Sequence, residues 1–478
     1  MEILRQRRGA LWRSAPCRAA HSCENMLGLD LILGTKGKFL NPLRILVVSY
    51  AFPPLAEVGS IRIAQLCRYL PDYGIKPVVL TVQEKFYQTI DPTRTLDGSM
   101  RVVRTPMMST PLDWYGSMKR LFKSSVRARD FDTNISQSTD RQVRSRMRQH
   151  ILALLQIPDR DWGWYWPAIR RAEQVLRSEG ADALFSSGPP WTSHLVARHL
   201  KKKFGLPWLA DFRDPWASLD PAPPGPRWRH RLMEHLEGNC IRTADLVLCN
   251  TDRMRQAFQR RYSALNTAKF RTLTNGFEDL PAPRIVPAHP KRLLLHLGSI
   301  YANRRIDTFL KALAGLACSG RLSAESFRVI FQGDINASHL AEATKIVPDL
   351  LKSKCVEFRP RVNWEEAWQL LWQSDLLLLF QGTHELQVPA KFYEYLQTGI
   401  PILAVTEEGA LTDILQATES GIWAKSDDPQ AIADGLLRAL QMPKHSREEI
   451  SKRLSNRYHY RALAEQLSLW TRELSTGH

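Results

Sequence analysis

The sequence predicts an α/β protein made of two doubly wound units, each with a parallel sheet. Three observations carry this. Runs such as Arg44–Ser49 (RILVVS) and Leu376–Phe380 (LLLLF) have strand length and are apolar at nearly every position, as strands covered on both faces are. Each run is followed by a Gly/Pro-rich or polar loop and then a helix-length segment, an order that implies parallel strands with right-handed crossovers. The pattern stops at Asn275-Gly276 and restarts at Arg292, and 478 residues exceed one ordinary core.

The first unit, residues 43–275, opens with the strand Arg44–Ser49. A loop over Tyr50–Ser60 with two prolines and a glycine leads to a helix over Ile61–Leu70, closed by Pro71, and Lys76–Val82 is the second strand. Met107–Trp166 departs from the regular units and interleaves basic with apolar and aromatic residues. Ala183–Ser187 is a strand, Gly188-Pro189-Pro190 a rigid loop, and Thr192 or Ser193 a cap for a helix reaching Lys203. Leu206–Ala210 is the next strand. A proline-rich loop over Asp220–Pro226 and a helix to Ile241 follow, and Asp245–Cys249 is the last strand of the unit.

The second unit, residues 276–455, has strands at Arg292–Leu297, Arg328–Gln332, Val356–Arg359, Leu376–Phe380 and Ile402–Val405. Helices are expected over Ile306–Leu316, Trp364–Gln373 and Ala390–Gln397. Gly399 stands where a helix commonly ends in a left-handed glycine. A last helix near Tyr460–Leu474 completes the chain's regular structure.

Composition narrows the chemistry. The apolar fraction of 44% supports a large core. Seven scattered cysteines form no C-x-x-C or Cys/His cluster, so neither zinc nor a disulfide framework is expected, in keeping with a reducing compartment. No apolar run is long enough to span a bilayer. The formal net charge of +18 points to an anionic partner: nucleic acid, acidic lipid head groups or phosphorylated small molecules. Residues 1–42 begin arginine-rich and lack the apolar centre of a signal peptide. A disordered tail or an over-extended start is expected, with a transit peptide as the alternative.

A parallel sheet binds its ligand outside the carboxyl ends of its strands, where helix N-termini favour anions. Lys391 and Glu394 fall in the first turns of the helix after Leu376–Phe380; a lysine suits a diphosphate and a glutamate suits sugar hydroxyls. Arg304 and Arg305 follow the Gly298 turn, and a guanidinium holds phosphate by a two-pronged fork. Asp211, Arg213 and Asp214 reach a strand end, where two carboxylates beside an arginine could orient an acceptor hydroxyl or take its proton, or could equally form an ion-pair cluster. His194 lies one strand earlier. Gly59 and Ser60, directly before a helix, form a candidate phosphate cradle or a plain turn. The glycines do not spell G-x-G-x-x-G, so no dinucleotide cofactor is expected.

The stretch VPAKFYEYLQTGIPILA resembles the donor-binding helix of the two-Rossmann-domain (GT-B) glycosyltransferases, in particular the large retaining group called family 4. RILVVSYAFPPLAEVGSIR, SSGPPWTSHLVA, WLADFRDPW, TNGFE and LLLHLGSIYANRR fit the same family in the same order, so the resemblance runs from Leu43 to His478. The stretch Asp159–Pro167 also resembles a D-x-x-x-x-W-x-x-P segment of this group. The resemblance implies two Rossmann-like domains facing across a cleft, with a C-terminal helix, residues 456–478, returning to the first. It implies that Glu394 meets the nucleotide ribose and that Arg304 replaces the family's usual lysine, with Ser299 in place of an arginine. A second family glutamate would fall on Leu386, which cannot serve. Glu385 and Gln387 flank it, and either a one-residue loop shift brings in Glu385 or the sugar meets backbone N–H groups. The position where the family often carries a histidine is nearest Arg213.

The function implied is transfer of a sugar, with retention and without a metal or other cofactor, from a nucleotide sugar to a lipid-linked or polysaccharide acceptor. The expected location is the cytoplasm, peripheral on the anionic inner face of the plasma membrane, in cell-envelope or exopolysaccharide synthesis. A nucleotide-sugar epimerase of the same fold and a non-catalytic scaffold are the alternatives. No nucleic-acid motif accompanies the charge.

Overall fold

A computed structural model describes residues 42–91, 100–110, 155–219, 226–279, 290–300, 304, 306–382 and 384–476. The described residues from Leu43 onward pack as one compact unit. Most of the basic, aromatic stretch within Met107–Trp166, and Arg305, lie outside the described residues.

The first sheet has seven parallel strands: β1 (Leu43–Val48), β2 (Ile75–Val82), β3 (Arg101–Thr105), β4 (Ala183–Gly188), β5 (Trp208–Phe212), β6 (Leu246–Cys249) and β7 (Phe270–Thr272), in the order β3-β2-β1-β4-β5-β6-β7. Side chains alternate along these strands and build two cores. Ile45, Val47 and Leu209 point to one face, where they meet Ile63 and Leu66 of α1 (Val58–Tyr69). Leu46, Val48 and Ala210 point to the other. They meet α2 (Tyr165–Ser178), α3 (Thr192–Phe204) and α4 (Arg227–Thr243). Helix α5 (Asp252–Arg261) joins β6 to β7.

The second sheet has six parallel strands: β8 (Arg292–Leu297), β9 (Phe327–Gln332), β10 (Val356–Arg359), β11 (Leu376–Phe380), β12 (Ile402–Val405) and β13 (Gly421–Ala424), in the order β10-β9-β8-β11-β12-β13. Its helices include α6 (Ile306–Cys318), α7 (Ala337–Ile346), α8 (Pro348–Lys352), α9 (Trp364–Gln373), α10 (Ala390–Leu396), α11 (Ala410–Thr418), α12 (Pro429–Ala439) and α13 (Arg447–Tyr458). Gly399 has φ +69°, the left-handed turn that ends α10. Finally α14 (Tyr460–Thr476) returns to the first sheet, burying Tyr460, Leu463, Ala464 and Leu467 beside α1.

Three strands, β3, β7 and β13, escape the sequence reading; they are the short edge or near-edge members of their sheets. The cap of α3 also differs from expectation. Neither Thr192 nor Ser193 caps it. Asp159 accepts from the Thr192 N–H at 2.7 Å and from its hydroxyl at 2.9 Å.

Candidate active site

A cleft of about 1800 Å³ opens between the carboxyl edges of the two sheets. Its walls carry Gly59, Arg213 and Asp214 from the first sheet's side, and Gly298, Arg304, Gln387, Lys391 and Glu394 from the second.

On the second sheet's side, two glycine turns stack. Gly298, just past β8, has φ +114°, and Gly333, just past β9, has φ +146°. A Cβ on Gly333 would lie 2.6 Å from the Gly298 carbonyl carbon and oxygen, and a Cβ on Gly298 would lie 2.7 Å from the Lys391 ammonium. Only glycine leaves room for the ammonium there. Lys391 Nζ stands 3.5 Å from Nε2 of His296, a fully buried residue of β8. The other ring nitrogen, Nδ1, is 2.9 Å from the Leu378 carbonyl oxygen, which can only accept. Nδ1 therefore carries the proton, and Nε2 offers its lone pair to Lys391. Burial, then the Lys391 charge, hold His296 well below the usual histidine range. Burial, then Arg304, pull the Lys391 ammonium down to about 7, against the opposing pull of Glu394. The Arg304 guanidinium donates to the Ser299 carbonyl at 3.0 Å, so its loop folds back beside the Gly298 turn. The Leu297 N–H donates to the Tyr395 hydroxyl at 2.8 Å and ties α10 to the end of β8. This places two cations and Glu394, one helical turn after Lys391, on one wall, an arrangement suited to a diphosphate and a polyol.

The first sheet's side departs from the sequence reading in several places. Asp211 is fully buried and does not line the cleft. Arg62, also fully buried, donates to it through Nη2 at 2.8 Å and Nε at 3.3 Å, and the Ser187 hydroxyl donates at 2.7 Å. The remaining Arg62 donors reach the Leu273 carbonyl at 2.8 Å, the Thr274 carbonyl and Asn275 Oδ1. Asp211 thus pins α1 to the segment that ends the first unit, and its assignment to acceptor chemistry is corrected. His194 is corrected likewise. It is fully buried, 2.8 Å from the Ser186 hydroxyl and stacked on Phe212 at 4.5 Å between ring centres, and burial pushes it down to about 3.

At Gly59 and Ser60, expected as a phosphate cradle, protein groups occupy the space. The space a Gly59 side chain would need is filled by the Arg213 guanidinium, and Ser60 is buried with its N–H donated to Glu57. Gly59 instead admits Arg213, whose Nη2 donates to the Pro189 carbonyl.

Arg213 and Asp214 do reach the cleft. Burial raises Asp214 above the usual carboxylate range, with Arg213 and Gln387 opposing. Gln387 Nε2 donates to Asp214 at 2.8 Å across the cleft. Beside this bridge, the Thr251 hydroxyl donates to the Leu386 carbonyl at 2.7 Å, and Arg253 binds Asp413 at 2.6 Å and Glu408 at 3.1 Å. Of the three residues around the expected glutamate position, Gln387 is the one on the cleft wall; Glu385 is exposed and gives its carbonyl to Ala410 N–H. His296 escapes the sequence reading, and Gln387 enters it only as a flank of Leu386. The one available signal was a histidine inside an otherwise apolar strand, LLLHL. Asp159-Arg160-Asp161 has the Asp-x-Asp spacing common at metal sites, but Asp159 is committed to Thr192.

Two family profiles match the chain: a glycosyl transferase 4-like domain over residues 59–276 and the group 1 glycosyl transferases over residues 283–457. No curated protein sequence matches significantly. Among solved structures, a sucrose-phosphate synthase from Thermosynechococcus elongatus aligns at TM-score 0.61 and 17% identity, over 91% of this chain and 100% of its own. Anabaena HepE, solved with UDP and glucose, aligns at TM-score 0.56 and 13% identity, over 90% and 100%. The lipopolysaccharide outer core galactosyltransferase WaaB aligns at 0.54 and 13%, again over 90% and 100%. These likenesses describe the fold. The two profiles, which between them span both sheets and the cleft, make this chain a member of the glycosyltransferases, and its two-sheet fold is the GT-B one.

Proposed function

We propose that the protein transfers a sugar, with retention and without a metal, from a nucleotide sugar to a lipid-linked or polysaccharide acceptor at the cytoplasmic membrane face. Cell-envelope or exopolysaccharide synthesis is the pathway class this suits. The supporting observation is the donor wall: Arg304 and Lys391 side by side, Lys391 backed by neutral His296, and Glu394 one turn away. The diphosphate lies between Arg304 and Lys391, and Glu394 takes the ribose hydroxyls. The bond from the sugar's anomeric carbon to the diphosphate oxygen breaks, and the acceptor oxygen bonds to that carbon from the same face. The acceptor proton passes to the departing diphosphate, whose charge Arg304 and Lys391 stabilise where it develops. Arg213 and Asp214 border the acceptor's side. HepE bound to UDP and glucose, and WaaB as a galactosyltransferase of lipopolysaccharide, lend the donor and acceptor classes support by analogy.

The test is incubation with a panel of nucleotide sugars and a lipid-linked oligosaccharide, following nucleoside diphosphate release and the anomeric configuration of the product, with and without chelator. Retained configuration and chelator-insensitive turnover are expected. Epimerised free sugar without acceptor, or no nucleotide binding by calorimetry, would overturn the reading in favour of an epimerase or a scaffold.

A further inference from the structure

Helices α2, α3 and α4 cover the face of the first sheet opposite α1 and α14. They carry eleven lysines and arginines, three on α2 and four each on α3 and α4, against only three acids, Glu173, Glu234 and Glu237. Those acids are all engaged. Glu173 binds Lys203 at 2.6 Å and Arg177 at 3.3 Å, Glu234 binds Arg261 at 2.9 Å, and buried Glu237 accepts from the Ala217 and Ser218 N–H groups. The surface is therefore left with a positive surplus that includes exposed Lys202 and Arg231.

The same surface exposes large apolar groups. A shallow groove is lined by Tyr165, Leu195 and Leu236 together with Arg198 and Lys202. Beside it, Trp166 is 52% exposed, and Trp228 and Leu232 are 41% and 38% exposed. Trp228, Leu232 and Leu236 recur every fourth residue of α4, one stripe roughly 12 Å long. Both tryptophans stand at helix starts. The start of α2 is tied to the carboxyl end of β3, where Trp164 Nε1 donates to the Thr105 hydroxyl at 2.6 Å. The aromatic end of this face is thus the rim nearest the cleft. Indoles at head-group depth with bases between them complement an anionic bilayer surface.

We infer that the α2–α3–α4 face docks the first domain on an anionic phospholipid surface, with the tryptophans at the cleft-side rim. Among the described residues no helix is long and apolar enough to cross a membrane, so the contact lies in the interface plane. The inference rests on the proposed membrane-face acceptor and supplies the surface that would bring the cleft to it.

The test is co-sedimentation of the full chain with vesicles of phosphatidylcholine alone or mixed in equal parts with phosphatidylglycerol, at low and high salt. Binding to the mixed vesicles only is expected. Lys202→Ala and Arg231→Ala should each weaken it about fivefold at low salt, the equivalent of about 1 kcal/mol per base. Trp166→Ser with Trp228→Ser should abolish the part that survives high salt, where charge attraction is screened. Affinity for nucleoside diphosphate, read by calorimetry, should be unchanged in every variant. Equal partition onto both vesicle types, binding unaffected by the four substitutions, or release of vesicle-bound protein by stoichiometric duplex DNA would overturn the inference. Loss of nucleotide binding in the unmodified chain with vesicle binding intact would instead overturn the functional reading and leave the surface standing.

Discussion

Raising the pH from 7 to 9 should weaken nucleoside diphosphate binding about fiftyfold, and Lys391→Met should remove that dependence. Burial and Arg304 pull Lys391 down to about 7. A bound diphosphate brings opposite charge to the ammonium and restores a value near the ordinary 10 or above. The ligand needs the protonated lysine, so affinity is full below pH 7 and is lost as pH rises through 7. With free and bound values about 3 units apart, the apparent dissociation constant scales as one plus the deprotonated-to-protonated ratio. That factor is roughly 2 at pH 7 and roughly 100 at pH 9. The terminal phosphate, with a second pKa of about 6, is already about nine-tenths ionised at pH 7 and adds only a slight opposing slope, which Lys391→Met isolates. Calorimetry of UDP and GDP in buffers of different ionisation enthalpy checks both signatures. Near pH 8 binding should take up close to one proton per site. A flat profile with no proton uptake, or the same slope in folded Lys391→Met, would refute the assignment of the diphosphate to this ammonium.

Arg304→Ala and Lys391→Ala should each lower transfer at least about a hundredfold, or roughly 2.7 kcal/mol, and steady-state turnover with purified variants measures it. Glu394→Ala should mainly weaken binding of the free nucleoside diphosphate, read by the same calorimetry. Asp214→Asn should keep the melting temperature and lose most transfer; retained activity with earlier melting would make the Asp214–Gln387 bridge purely architectural. Asp211→Ala should instead unfold the protein more easily by about 3–5 kcal/mol, because it strands Arg62 as a buried, uncompensated charge, and a urea titration will show whether it does.

The fold was legible wherever a strand is covered on both faces. LLLLF and RILVVS announce themselves because every position faces a core. β7 has only three residues, β13 has four with only Ala424 buried, and β3 carries arginine at two of its five positions, so none makes a long apolar run. That Lys391, Glu394 and Arg304 line the cleft was legible because they sit at loop and helix positions fixed by the strand order. The first sheet's side was less so. Asp211 and Arg213 are two positions apart at one strand end, yet Asp211 turns to Arg62, 149 positions earlier, while Arg213 turns to Gly59. His296 gains its role from Lys391, 95 positions on. Local pattern names the residues at a sheet edge, but the partner that captures each one comes from a distant segment.

The return of α14 to the first sheet sets an order of events during synthesis. Arg472 donates to the Tyr73 carbonyl, 399 positions away, and Leu463 and Leu467 complete the apolar layer over Ile45, Val47 and Leu209. At typical elongation rates the early strands wait roughly 20–80 s for that cover. During this time the second sheet is made and can close on itself first, while one face of the earlier sheet stays open to water or to a chaperone. The half made first is therefore the half finished last. A stop codon in the final twenty positions would damage the domain of the first sheet rather than that of the second sheet beside it in sequence.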